Sequence, residues 1–149
     1  MSDVRVPYPF TTEYMPLIAD HFVDTVYNID GVRLDYSIPS ITYIDELIDS
    51  WRDPSSPMPE SSLLTAGVYA GECMRLDVQG RWAYTSEVPV KFSPWTICLY
   101  TGADYCDPIG KAFKRYDLGR NDSLAYFAHV FLSKAKSTGS PNEGGPPTS

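Results

Sequence analysis

The sequence contains little of the material from which catalytic and cofactor sites are usually built. It has two histidines and three cysteines among 149 residues. None of the spacings His-x-Glu, His-Glu-x-x-His or Cys-x-x-Cys occurs, so no metal site is predicted. Nucleophile-elbow, Walker and dinucleotide-binding motifs are also absent. These absences predict a protein without a cofactor and favour a non-catalytic role.

Long apolar segments are lacking as well. No apolar run approaches the roughly 18 residues that a membrane-spanning helix needs, and the N-terminus lacks the charged-then-apolar layout of a signal peptide. Cys73, Cys98 and Cys106 form an odd set without paired spacing, which is typical of reduced thiols. We therefore expect a cytoplasmic protein that does not bind membranes and whose cysteines have no redox role.

The excess of acidic side chains narrows the class of partner. The net charge is −7, and this disfavours nucleic acid, whose phosphates require clustered lysine and arginine. Residues 1–80 carry 13 acidic and 4 basic side chains, a balance of −9, whereas residues 81–149 carry 6 and 8, a balance of +2. This polarity favours a partner protein with a basic surface.

Hydrophobic periodicity predicts an α+β domain with four to five helices and a small antiparallel sheet of three to four strands. The predicted helices cover residues 13–28, the segment from Ser37 or Ser40 to Trp51, residues 61–77, the segment from Pro108 to Gly119, and a segment that follows Ser123. The predicted strands cover residues 32–36, 82–84, 88–92 and 95–100, with the last two joined as a hairpin.

The domain is predicted to span residues 1–136. Residues 137–149 contain no large apolar side chain, so burial cannot offset the entropy of ordering them, and we expect a disordered tail. The helix at 61–77 is apolar on nearly every side, which is typical of a buried central helix.

Gly67 and Gly71 lie four residues apart on that central helix. Each costs about 1 kcal/mol relative to alanine in a helix interior, so their presence indicates that something must approach closely. We expect this helix to pack against the sheet. The substitution Gly71→Leu is predicted to be severely destabilising, because it would overpack the contact.

The second predicted helix carries acidic residues on one side, at Asp45, Glu46, Asp49 and Asp53. A solvated outer face explains this pattern, and so does a docking stripe for a basic partner. A divalent-cation site is disfavoured, because carboxylates that diverge along a helix do not converge on an ion. On either of the first two hypotheses, Asp45→Lys combined with Asp49→Lys would barely affect folding.

The central helix presents a second candidate at Tyr69 and Glu72, which Trp82 follows in the next strand. Glu72 falls at the rim of the apolar face, with Arg75 as a possible partner three residues on. It is either a ligand-binding or acid–base carboxylate, or a structural one that holds the following strand through the backbone or Trp82.

A third candidate is basic. Lys111, Lys114 and Arg115 project opposite the apolar stripe of their predicted helix, and Arg120 follows. These side chains form either a solvated face or a site for an anion or an acidic partner.

Four segments resemble an uncharacterised bacterial family, domain of unknown function 3806. They are Leu34-Asp35-Tyr36-Ser37, the run from Gly67 to Glu72, Trp82, and the run from Pro108 to Tyr116 with the following Gly119 and Asp122-Ser123-Leu124. The resemblance covers roughly residues 32–132. It implies a small α+β protein and no established activity.

These observations favour a non-catalytic protein-binding module, of which an immunity or antitoxin-type protein is one form. The alternative is a small-ligand-binding protein or an enzyme that uses Glu72 and the basic helix around Lys111–Arg115.

Overall fold

The computed structural model describes residues 6–88 and 96–139. This part of the chain folds into five α-helices and a three-stranded antiparallel sheet, which confirms the predicted α+β class. The elements are α1 (Met15–Asp30), α2 (Ser40–Ser50), α3 (Glu60–Val78), β1 (Arg81–Tyr84), β2 (Ile97–Tyr100), β3 (Tyr105–Cys106), α4 (Pro108–Leu118) and α5 (Leu124–Gly139). None of the helices in the described ranges combines the length and apolarity that crossing a bilayer requires.

Helix α3 is the centre of the domain, as its composition predicts. Every residue from Leu63 to Met74 is buried, because α1 packs on one side of the helix and α4 on another. A helix that is apolar nearly all round is stable in water only when its neighbours cover it on several sides. The predicted bounds, 61–77, differ from the observed ones by one residue at each end.

The two glycines of α3 allow two different close contacts. A Cβ atom at Gly67 would lie 2.6 Å from the Cα atom of Ile109, in the first turn of α4. A Cβ atom at Gly71 would lie 2.3 Å from Cη2 of Trp82, which belongs to β1. The predicted approach to the sheet is therefore present at Gly71, whereas Gly67 accommodates the backbone of another helix.

Helix α1 buries the apolar stripe that periodicity predicts for it. The stripe consists of Met15, Ile18, Ala19, Phe22, Val23 and Val26. The helix ends at Gly31, whose φ of 72° is left-handed and whose N–H donates to the carbonyl of Tyr27 at 2.9 Å. Glycine adopts this conformation without steric cost, which explains the position of the helix end.

The strand predicted at residues 32–36 is wrong, because this segment is irregular in the structure. Tyr36 has a left-handed φ of 63°, which no strand permits. Its backbone N–H donates to the hydroxyl of Tyr69 at 2.9 Å rather than to a neighbouring strand. A side chain 33 residues away therefore satisfies this donor, and local alternation could not reveal that partner.

The sheet has the order β1-β2-β3, with Trp82 opposite Leu99 and Leu99 opposite Cys106. The strand predicted at 95–100 corresponds to β2. Val88 follows a short 3-10 turn and lies in no strand, and the rest of the strand predicted at 88–92, with its hairpin link, lies outside the described residues. Strand β3 was not predicted, because two residues are too few to show alternation.

Asp107 caps α4, since its carboxylate accepts a hydrogen bond from the N–H of Gly110 at 2.8 Å. Pro108 occupies the first turn, where its missing N–H costs nothing. Helix α5 continues to Gly139, three residues beyond the predicted end of the domain. The remainder of the predicted tail, residues 140–149, lies outside the described residues.

Candidate functional site

Asp45, Glu46 and Asp49 of α2 meet Arg115 of α4 and the following Arg120 in one cluster, which we call the charge cluster. At its centre lies Arg115, of which 1% is exposed. Its Nε donates to Oδ1 of Asp45 at 3.2 Å, and its Nη1 donates to Oδ1 of Asp49 at 3.1 Å. Its Nη2 donates to the carbonyl oxygen of Asp45 at 3.1 Å. One residue of the predicted basic surface therefore pairs with two residues of the predicted acidic surface.

Asp45 also caps the start of α5 from another helix. Its carboxylate accepts hydrogen bonds from the backbone N–H groups of Leu124 at 2.7 Å and Ala125 at 3.0 Å, and from the Ser123 hydroxyl at 2.9 Å. The first N–H groups of a helix have no partner within the helix and favour a negative charge. The prediction that Asp45 lies on an exposed face is therefore wrong.

Glu46 and Asp49 reach solvent but are paired with Arg120. Nη1 and Nη2 of Arg120 contact the two carboxylate oxygens of Glu46 at 3.1 and 3.2 Å, and Nη2 lies 3.0 Å from Oδ2 of Asp49. Hydrogen bonding to Arg120 lowers the pKa of Glu46, and hydrogen bonding to Arg115 lowers the pKa of Asp49. Both carboxylates are already neutralised by arginines of this chain.

Asp53 does not belong to the same surface. Helix α2 ends at Ser50, and Asp53 starts the following loop, where its Oδ1 accepts the N–H of Ser55 at 3.0 Å. This hydrogen bond and those of the Ser55 and Ser56 hydroxyls lower the pKa of Asp53. The carboxylate stabilises the turn. The four-residue spacing from Asp49 places Asp53 on the helix and therefore could not indicate this role.

The basic residues of α4 do not form the predicted common face. Arg115 is buried, and Lys111 Nζ lies 2.5 Å from Oδ1 of Asp122 with only 18% of its side chain exposed. Lys114 is exposed and has no ion-pair partner among the described residues. One free lysine is too little to recognise an anion, so an anion site here has no support from the geometry.

Glu72 is buried and makes both of the contacts considered for it from the sequence. Arg75 donates from Nε to Oε1 at 2.8 Å and from Nη2 to Oε2 at 2.6 Å, and Trp82 donates from Nε1 to Oε1 at 3.0 Å. The carboxylate raises the pKa of Arg75 by hydrogen bonding. It also holds the Trp82 ring against Gly71, so its geometry favours the structural role.

We expect Glu72→Gln to lower the free energy of unfolding by about 1–3 kcal/mol, because the amide is neutral and its NH2 group, in place of Oε2, cannot accept the hydrogen bond from Nη2 of Arg75. Urea denaturation measures this change. Glu13→Gln is the matched control, since Glu13 is exposed and has no ion-pair partner in the described ranges. A variant of Glu72 with unchanged stability would contradict the structural role.

Tyr69 belongs to a different cluster from Glu72. Its hydroxyl accepts the N–H of Tyr36 and is hydrogen-bonded to Oγ of Ser40 at 2.7 Å, and burial raises its pKa. Oγ of Ser40 also lies 3.8 Å from Sγ of Cys73. This cluster joins the start of α2 to α3. Sequence reasoning missed Tyr36 and Ser40 as partners, because neither has a spacing that relates it to Tyr69.

The cysteines are buried, and burial raises their thiol pKa values. The pKa of Cys73 and that of Cys98 are each raised to about 11, and the pKa of Cys106 is raised well above its usual range. Among the described residues, no group of three or more His, Cys, Asp and Glu side chains is arranged to hold a metal ion.

We expect native thiols to react with a maleimide at about pH 8 more than about a hundredfold more slowly than the unfolded chain, because little thiolate is present. Because the pKa values of the folded thiols exceed the unfolded value of about 8.5, the contribution of these buried thiols to the free energy of unfolding is complete below that pH. It decreases as the pH rises toward 11. Mass spectrometry of labelled protein gives the rates. Rapid labelling of folded Cys73 would contradict its burial.

A groove of about 260 Å³ lies between α1, α2 and the start of α3. We call it the α1 groove, and its apolar lining consists of Phe22, Val26, Ile29, Leu47 and Trp51. His21, Asp30 and five hydroxyl side chains complete the lining. Sequence reasoning did not identify this groove, because its walls come from three helices. In the sequence, only Ile29, an apolar residue at the end of α1, indicates this groove.

Comparisons of the chain with protein-family models, with curated proteins and with solved structures give no match.

Proposed function

We propose that this chain is a non-catalytic protein-binding module whose partner presents a basic surface. The observation that carries the proposal is that the acidic side chains of α1 form no ion pairs in the described part of the chain. The helix contains Asp20, Asp24 and Asp30, all exposed, and no lysine or arginine. Among the described residues, no ion pair includes these carboxylates. Clustered charge of one sign accelerates and orients association with a partner of the opposite sign.

The proposed surface differs from the docking stripe predicted from the sequence. Asp45, Glu46 and Asp49 of α2 are paired with Arg115 and Arg120 within the chain. Two carboxylates of α1 accept hydrogen bonds from hydroxyl groups instead, Asp20 from Tyr36 and Asp30 from Tyr43. Helix α1 therefore replaces α2 as the surface that supports a basic partner.

One form of this proposal is an immunity or antitoxin-type protein that covers a basic toxin in the cytoplasm. Its support is the small size and the net charge of −7, and the step from these to a toxin is an analogy. The resemblance to an uncharacterised bacterial family adds no activity. A toxin gene beside the gene for this chain would favour this form over other protein-binding roles.

The alternative, a ligand-binding protein or enzyme that uses Glu72 and the basic helix, has less support. The carboxylate of Glu72 is occupied by Arg75 and Trp82, and Arg115 is buried in the charge cluster. The two candidate groups therefore have separate partners. A reaction would need at least two groups that converge on one open space.

A selection from a random peptide-display library against the immobilised protein tests the proposal. We expect the selected peptides to be enriched in lysine and arginine, and their binding to weaken as salt is added, because salt screens exposed charges. Selection of neutral or acidic peptides, or binding that salt leaves unchanged, would contradict the proposed function.

A further inference from the structure

We propose that the α1 groove receives an apolar side chain from the partner protein, with lysine or arginine residues of the same partner segment lying against the carboxylates around the groove. The inference rests on the proposed function and adds the place and chemistry of contact. It joins two independent features of the described residues, an apolar concavity and a rim of one charge.

The apolar feature is an exposed hydrophobic side chain at the edge of the α1 groove. Ile29 is 76% exposed, the largest exposure of any large hydrophobic side chain in the described ranges. Leu47 and Trp51 line the same groove and are partly exposed. An exposed apolar patch with a polar rim is typical of an interaction site.

The size of the groove favours a side chain over a cofactor. Its volume of about 260 Å³ lies below the range of about 300–1,000 Å³ that is usual for small-molecule sites. A groove of this size accommodates an anchoring side chain of the kind that dominates binding energy at protein interfaces.

The rim of the groove is acidic. Asp30 belongs to the lining, which contains no lysine or arginine. Asp24 lies about 60° around the α1 helix from His21, outside the edge of the groove, and Glu60 directly precedes Ser61 at its α3 side. Arg33 lies over the ring of Tyr27, about 60° beyond Asp30 around α1, and forms no ion pair in the described ranges. The carboxylates that flank the apolar lining are therefore not paired with this cation.

This arrangement selects one class of occupant. A second copy of the chain carries the same net charge of −7, so two copies repel each other. Nucleic acid and anionic lipid surfaces are repelled for the same reason. A protein segment with an apolar side chain between basic residues complements both features, and we commit to that occupant.

Isothermal titration with three synthetic peptides tests the inference on the full chain. The first peptide is an amphipathic repeat of leucine and lysine, the second contains the same number of lysines without leucine, and the third replaces lysine by glutamate. We expect the leucine–lysine peptide to bind at least about tenfold more tightly than either of the others.

Two variants of the groove locate the binding site. Ile29→Ser should weaken the leucine–lysine peptide about tenfold, because the exposed apolar edge is lost. Asp24→Asn should weaken it about threefold, because one exposed charge contributes little. The matched controls are Val130→Ser on α5, where the side chain is 47% exposed, and Asp117→Asn at the end of α4. Both controls should bind within about twofold of the parent.

The outcomes separate the inference from the proposed function. Salt-sensitive binding that Ile29→Ser and Asp24→Asn leave unchanged would overturn the groove and leave the proposed function standing. Equal affinity for the lysine-only peptide would overturn the apolar anchor. Failure of every basic peptide to bind would overturn both proposals. Self-association in sedimentation that Ile29→Ser abolishes would instead identify a second copy as the occupant and overturn the inference.

Discussion

Asp45→Ala is expected to lower the free energy of unfolding by about 3–5 kcal/mol. The substitution removes one of the two carboxylates that pair with the guanidinium of Arg115, which is 1% exposed, and leaves only that of Asp49. It also removes the acceptor for the N–H groups of Leu124 and Ala125 at the start of α5. A buried charge that has lost one of its two counter-charges and an uncapped helix act in the same direction.

Urea denaturation of Asp45→Ala beside Glu46→Ala measures this effect. Glu46 neighbours Asp45 on α2 and pairs with Arg120, but both side chains of that pair are more than half exposed, at 57% and 63%. The control should therefore lose less than about 1 kcal/mol. Equal stability losses in the two variants would show that Asp45 is not buried in the charge cluster.

A double variant separates the ion pair from the packing around it. Asp45→Ala combined with Arg115→Met should be less destabilising than the two single losses together, because neither member of the pair is then left buried without the other. Asp45→Lys combined with Asp49→Lys should prevent folding, since it places two cations beside the buried Arg115. This expected result is opposite to the one that the acidic pattern of α2 predicts by itself.

Gly71→Leu is expected to lower the free energy of unfolding by about 3 kcal/mol or more. Even the first added carbon would lie 2.3 Å from Cη2 of Trp82 and 2.8 Å from Cγ of Pro108. The ring of Trp82 cannot move freely, because its Nε1 is held by Glu72 at 3.0 Å. The larger side chain would therefore force β1 or the start of α4 away from α3.

Gly67→Ala extends this test to a backbone contact. Alanine improves helix propensity by about 1 kcal/mol, yet its Cβ would lie 2.6 Å from Cα of Ile109. We expect a net loss of about 1–3 kcal/mol in thermal or urea unfolding. Ser133→Ala on the exposed side of α5 is the control and should stay within about 0.5 kcal/mol of the parent. Stability of Gly67→Ala at or above that of the parent would disprove the close approach.

The charge cluster shows why a pattern of acidic residues along a helix is ambiguous. Asp45, Glu46 and Asp49 share one side of α2, and that side faces solvent only if no other element covers it. Helices α4 and α5 pack against α2, and Arg115 of α4 and Arg120 of the turn between the two helices lie against these carboxylates. The acidic side chains that remain available to a partner belong to α1. The sequence pattern does not single them out, because most residues of that helix are apolar.

Features that depend on neighbouring residues could be inferred from the amino-acid order. The apolar stripe of α1 follows from spacings of three or four residues, which a helix brings onto one face. The burial of α3 follows from apolar residues on nearly every side, and the cap of α4 from an aspartate directly before a proline. The contact of Glu72 with Arg75 could be inferred for the same reason, since three residues span less than one turn.

Features that depend on distant residues required the tertiary structure. Asp45 meets Leu124 across 79 positions and Arg115 across 70, and Tyr36 meets Tyr69 across 33. No helical or strand period relates such positions, so composition cannot distinguish a buried carboxylate from a solvated one. The α1 groove likewise exists only where three helices meet. Local periodicity therefore determined the helices, and tertiary packing determined which of their polar faces remain available to a partner.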